Sequence, residues 1–82
     1  MRLPRDLSGH ELITLLRRYD YEVIRQVGSH IRLQSEFRGH THHLTVPAHR
    51  SLRIGTLNAI LSDVAAYLEI ERSKLELELF HK

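Results

Sequence analysis

Val27-Gly28-Ser29-His30-Ile31-Arg32 is the stretch on which the fold turns. Gly-Ser is a turn signal, and the segments on either side of it are β-like, so a hairpin is the natural connection. Upstream, Tyr21-Glu22-Val23-Ile24-Arg25-Gln26-Val27 is enriched in β formers and partly alternates. Downstream, Ile31, Leu33 and Phe37 suggest a second strand with His30, Arg32 and Gln34 on its other face, and Ser35 to Thr41 reads as a looser connection in which Gly39 suits a turn. An imidazole therefore stands beside a tight turn, with Arg25 and Arg32 on either side of it.

Outward from the hairpin, Leu7-Ser8-Gly9-His10-Glu11-Leu12 is a helix start. Ser8 can cap the first turn, Glu11 can reach back to the Ser8 amide, and Leu7 can pack on Leu12. Leu12, Leu15, Leu16 and Tyr19 form one apolar stripe, and the helix should end near Arg18 or Tyr19. His43 to Val46 reads as a third strand closed by Pro47, which has no amide for a ladder. A loop from Ala48 to Leu52 leads to a helix beginning near Gly55. Its Leu57, Ile60, Leu61, Val64, Ala65 and Leu68 recur at three- and four-residue spacing. The tail Lys74-Leu-Glu-Leu-Glu-Leu alternates as a strand would, yet Glu71, Leu75 and Leu79 align on a helix, and helix is the preferred reading. The fold class is α+β, in the order α-β-β-β-α plus a short C-terminal helix. Helices cover one face of a three-stranded antiparallel sheet and leave the other free to bind.

The chain has 82 residues, room for one core and not for two, so residues 1–82 read as a single domain. Apolar residues make up 41% and charged residues 27%, which fits a folded soluble protein, and a chain this short gains from a partner or from oligomerisation. There is no cysteine, which excludes disulfide frameworks, thiolate catalysis and cysteine-based zinc sites and is consistent with the cytoplasm. Neither a signal peptide nor an apolar run of membrane-spanning length is evident. The net charge is +2, but Met1 to Ile54 holds nine Arg/Lys against five acids, and Gly55 to Lys82 three against five. Five of the seven histidines also lie between His30 and His49. This asymmetry points to an anionic partner for the N-terminal two thirds.

His30 is the leading candidate for chemistry, because an exposed imidazole can move a proton near neutral pH. RNA carries its own nucleophile, the 2′-hydroxyl, and needs only proton transfer and stabilisation of a charged phosphorane. A polar strand residue with no such role fits the spacing equally well. Gly28 and Ser29 can let backbone approach a phosphate, or can simply form the turn. Arg25, Arg32, Arg38, Arg50 and Arg53 are candidate phosphate clamps, each also an ordinary surface charge on its own. His49 is a candidate second proton-transfer group or phosphate donor. His40, His42, His43 and His49 raise the question of a metal. However, His42 and His43 point to opposite faces of a strand, and no carboxylate set completes a site, so no metal is assigned. The aromatic residues are too sparse for a stacking platform, which favours recognition of shape and phosphate.

Three motifs together are specific. Gly28-Ser29-His30, then Leu44-Thr45-Val46-Pro47-Ala48-His49, then Leu52-Arg53-Ile54-Gly55-Thr56-Leu57-Asn58-Ala59-Ile60-Leu61 resemble the successive motifs of the HicA toxin family, over roughly Leu7 to Leu79. The resemblance implies a double-stranded-RNA-binding-like fold and a cytoplasmic mRNA interferase without a cofactor. His30 would be its catalytic histidine, and Gly28 and Ser29 the residues before it. It also implies a HicB-like antitoxin that covers the catalytic surface, and toxin–antitoxin assemblies of higher order. One departure is Ile31, where many members carry a second histidine. The alternative is a catalytically inactive RNA- or DNA-binding domain acting with a partner protein, and a third reading is a module that binds protein alone.

Overall fold

The computed structural model describes residues 3–81; Met1 and Arg2, with which the basic N-terminal stretch opens, and Lys82 lie outside the described residues. Helix α1 (Gly9–Leu16) runs into a single 3-10 turn (Arg17–Tyr19). Strands β1 (Glu22–Val27), β2 (His30–Ser35) and β3 (His42–Pro47) follow, then helices α2 (Ile54–Leu68) and α3 (Arg72–Phe80). The sheet is antiparallel throughout, in the order β1-β2-β3. This is the α+β architecture expected from the sequence, and it is consistent with a double-stranded-RNA-binding-like domain.

The start of α1 has the capping box that its sequence encodes. The Glu11 amide donates to Ser8 Oγ at 3.0 Å, and the Ser8 amide donates to Glu11 Oε1 at 2.9 Å. Two of the helix's orphan amides are satisfied this way. The chain leaves the 3-10 turn through Asp20, whose φ of 63° lies in the left-handed region that aspartate tolerates better than most residues. That reversal sends Tyr21 into the core and starts β1 one residue later than its β propensity suggested.

Alternation along β2 sorts the two sheet faces. Ile31, Leu33 and Ser35 are buried, and their β3 partners Val46 and Leu44 pack with them against Leu12 and Leu16 of α1 and Leu57, Leu61 and Val64 of α2. Each of the apolar side chains contributes roughly 1.5–3 kcal/mol by leaving water. Ser35 is the one buried polar residue among those described, and its hydroxyl donates to the Tyr19 carbonyl at 2.6 Å.

Strand β2 stops at Ser35, where the looser connection to Thr41 was expected to begin, so Phe37 lies outside the strand it was grouped with. Ser35 Oγ accepts the Phe37 amide, which turns the chain, and Phe37 lies half-exposed with its ring edge-on to Tyr19. Strand β3 begins at His42, one residue before the expected start, and Pro47 closes it. The tail is a helix: Leu75 and Leu79, four residues apart, are both buried. Arg72 ties α3 to α2 through Asn58 and Ser62, and Glu78 receives hydrogen bonds from Arg18 and Tyr19. A strand would have put Leu77 on the same side as Leu75 and Leu79, whereas Leu77 is half-exposed.

Strand β1 is the exposed edge, and Val23, Ile24 and Val27 all show large apolar surface. A bulge between Val23 and Arg25 shifts the register so that Glu22 opposes Gln34 and Arg25 opposes Arg32. Residues three apart in a regular strand face opposite ways; the bulge brings Glu22 and Arg25 to the same face.

Candidate functional site on the open face of the sheet

Register places three rows of side chains on the uncovered face. The first is Val27-His30-Pro47, the second Arg25-Arg32-Thr45, and the third Glu22-Gln34-His43. His30 opens β2, is exposed, and makes no side-chain hydrogen bond among the described residues. A hollow of about 200 Å³ is lined by Arg25, Val27, His30, Arg32 and Thr45.

The middle row carries the electrostatics of the site. Like charges directly opposite on neighbouring strands destabilise a sheet, yet Arg25 and Arg32 are such a pair. Neither is paired with an acid among the described residues. Arg32 Nη1 donates to Thr45 Oγ1 at 3.3 Å, a long hydrogen bond that leans the guanidinium toward β3. Two guanidinium groups without a counter-ion, beside a free imidazole, form a receptor for an oxyanion.

The backbone around His30 is tied down from several directions. Gly28 has a φ of +58°, the positive value that the first residue of a tight two-residue hairpin turn requires. Gln26 Nε2 donates to the Gly28 carbonyl at 2.9 Å, and the Ala48 amide donates to the Ser29 carbonyl at 2.6 Å. The Ser29 carbonyl is therefore engaged. Its hydroxyl has no partner among the described residues and is open to a ligand.

The loop after Pro47 is pinned to the start of α1. The Gly9 amide donates to the His49 carbonyl at 2.9 Å, and the Leu52 amide to the Leu7 carbonyl at 2.8 Å. A Cβ at Gly9 would stand 2.0 Å from the Pro47 carbonyl oxygen, so only glycine permits this approach. Because Pro47 is the register partner of His30, Gly9 fixes the floor on which the histidine stands. Its sequence signal is weak, since glycine at a helix start looks ordinary.

The other candidate residues divide. Gly28, Ser29 and His49 gather at the turn and at the loop fastened to it, and Arg50 lies exposed in the same loop. Arg53 is exposed at the N-cap of α2. Arg38 is not brought to His30: it lies beyond the far end of β2, with Nη2 3.2 Å from Glu69 and its amide donating to Tyr67.

The histidines from 40 to 43 are dispersed, and no group of three or more His, Cys, Asp or Glu is placed to hold a metal among the described residues. His43 is on the open face with Nε2 3.1 Å from Gln34 Oε1, whereas His40 sits edge-on to Tyr67. His42 points to the helix side. Its Nδ1 is 2.7 Å from the Tyr21 hydroxyl, its Nε2 is 3.1 Å from Asp63 Oδ1, and its ring stacks on Tyr67. Burial pushes the Tyr21 hydroxyl pKa up, helped by Tyr67 and Asp63, so that hydroxyl keeps its proton beside Nδ1. Both nitrogens of His42 are thus committed. This cluster was not legible in the sequence, because Tyr21, His42 and Asp63 come from three different segments, each 21 residues from the next.

Fold and site together define an α+β protein with a basic, uncovered sheet surface around one uncommitted histidine. The family model for the HicA toxin of bacterial toxin–antitoxin systems matches residues 9–65, more than half of the chain, and the chain belongs to that family. Its toxins act with an antitoxin and are generally ribonucleases. The matched segment includes all three rows of the open face. No curated protein and no solved structure gave a significant match.

Proposed function

We propose that this protein is the toxin of a type II toxin–antitoxin system and a metal-independent endoribonuclease acting on mRNA in the cytoplasm. The observation that carries the reading is the free imidazole of His30 beside the unpaired Arg25–Arg32 row. RNA lies across the open face with its scissile phosphate over that row. Arg25 and Arg32 hold the non-bridging oxygens, with Arg50, Arg53 and the Ser29 hydroxyl contacting the backbone farther along. The 2′-oxygen attacks phosphorus while its proton passes to a base. The bond to the 5′-oxygen then breaks, that oxygen takes a proton, and a 2′,3′-cyclic phosphate remains.

His30 serves one of these two proton transfers, and the guanidinium groups stabilise the extra negative charge of the phosphorane. His49, on the loop bonded to the turn, is the candidate for the other. A HicB-like antitoxin neutralises the toxin by covering this face, and the resulting complexes assemble to higher order.

One observation favours the second reading, a binding domain without catalysis. Cleavage needs a base and an acid, and among the described residues no hydrogen bond links His30 to a second proton-transfer group. Defined RNA incubated in EDTA with wild type and with His30→Ala separates the two. The nuclease reading expects cyclic-phosphate ends with wild type and loss of cleavage in the variant. Salt-sensitive binding without product would establish the binding domain instead.

A further inference from the structure

The larger hollow of the molecule is not at His30. It lies at the edge of the sheet where β1 begins, at the opposite end of β1 from Val27 and His30, has a volume of about 740 Å³, and is lined by Arg17, Asp20, Glu22, Val23, Gln34 and Glu36 among others. Two of these, Glu22 and Gln34, form the third row of the open face together with His43. Gln34 follows Arg32 by two positions along β2, about 6.6 Å. That is comparable with the distance from a phosphate to the base of an adjoining nucleotide.

Glu22 is the only acid in the three rows, and the β1 bulge is what turns it to this side. On a surface that binds a polyanion a carboxylate opposes binding unless it meets hydrogen-bond donors. RNA offers such donors only on its bases and its 2′-hydroxyls. Glu22 is exposed and makes no hydrogen bond or ion pair among the described residues. Gln34 is oriented: its Oε1 accepts from His43 Nε2 at 3.1 Å, which leaves its amide nitrogen to donate elsewhere. The third row thus presents two carboxylate acceptors and one amide donor.

We infer that this hollow holds the base next to the scissile phosphate and selects guanine. The Watson–Crick edge of guanine carries two neighbouring donors, N1–H and the 2-amino group, followed by the O6 acceptor. The Glu22 carboxylate takes the first two, and the Gln34 amide nitrogen donates to O6. Adenine, cytosine and uracil each offer this edge fewer donors and leave a carboxylate oxygen unpaired. A site built to hydrogen-bond one partner rejects others for that reason. Arg17 supplies a cation at the rim, opposite the further carboxylates of Asp20 and Glu36.

The inference rests on the ribonuclease reading, and its test keeps the two apart. Oligoribonucleotides identical except for the bases flanking one cleavable bond are cut by wild type, Glu22→Gln and Gln34→Ala. Wild type should prefer guanine on one side of the cut by about 10- to 100-fold. Inosine in its place, which lacks the 2-amino group, should lose much of that preference. Glu22→Gln should flatten the preference, Gln34→Ala should weaken it, and circular dichroism should show both variants folded. Equal cutting at all bases by wild type, or an undiminished guanine preference in Glu22→Gln, overturns the inference and leaves the nuclease reading standing. If wild type cuts nothing, the nuclease reading fails, and equilibrium binding of the same oligonucleotides decides. Guanine-selective binding that Glu22→Gln removes then supports the subsite, and binding indifferent to the base overturns it.

Discussion

Two histidines begin two neighbouring strands and meet opposite fates. His30 opens β2 and faces the uncovered side of the sheet, its ring bonded to nothing among the described residues. His42 opens β3 at the other end and faces the helices, with one nitrogen on Tyr21, the other on Asp63, and its ring against Tyr67. A proton-transfer group must be able to change partners, and an imidazole with both nitrogens engaged cannot do so without breaking the fold around it. The same side chain is left free at one end and is held in a network of contacts at the other. What separates them is which face of the sheet the strand presents.

The sharpest way to break this contrast is to remove each ring in turn. His30→Ala should lower RNA cleavage by about 10²–10⁴-fold and leave the thermal midpoint nearly unchanged. Gly9→Ala should act first on stability, because its Cβ meets main chain that cannot swing aside. It should lose on the order of 3 kcal/mol of stability, measured by urea unfolding, as α1 is levered off the Pro47–His49 segment. His42→Ala should cost about 1–3 kcal/mol, since it leaves the Tyr21 hydroxyl buried without its partner. Cleavage per folded molecule should survive in that variant. Loss of catalysis in His42→Ala with full stability would reverse the assignment of the two rings.

Smaller effects sharpen the same comparison. Arg32→Ala should weaken RNA binding similarly for all sequences and reduce the slope of log affinity against log salt by about 0.7 for single strands. Arg38→Ala, on the far side of the β2 end and paired with Glu69, should move that slope little. The smallest effect appears only in alkali. Burial, with the Glu78 carboxylate as hydrogen-bond partner and neighbouring charge, pushes the Tyr19 pKa from 10.0 up to about 12. The unfolded chain therefore loses this proton first. The contribution is whole below about pH 10 and disappears as pH rises through about 12. Tyr19→Phe should make the fall in stability across that interval shallower, as read from urea midpoints at stepped pH.

Much of the architecture was legible because it is written in local periodicity. The capping box at Ser8 and Glu11, the apolar spacing of α2 and the Gly28-Ser29 turn each depend on neighbours a few residues apart. His30 and Arg32 were assigned to one face for the same reason, since β2 keeps a strict two-residue alternation. Phe37 was legible both as a strand residue and as part of the connection, because nothing local distinguishes an apolar strand residue from one that Ser35 turns out of the ladder. The tail was ambiguous because both periods are present in it, and Leu75 and Leu79 had to find a groove before one prevailed.

The sequence by itself determined the order of elements, the face of β2 that carries His30, and the motifs that mark a HicA toxin. Tertiary structure alone decided that Arg25 and Glu22 join that face, that Arg38 does not reach it, and that His42 is locked while His30 is free. The division has a physical cause. Turns, caps and alternation are set by torsions and by groups one helical turn or one strand pair away. Bulge register, the close approach of Gly9 to Pro47 and the Tyr21–His42–Asp63 contacts arise only when distant segments are pressed together around a shared core.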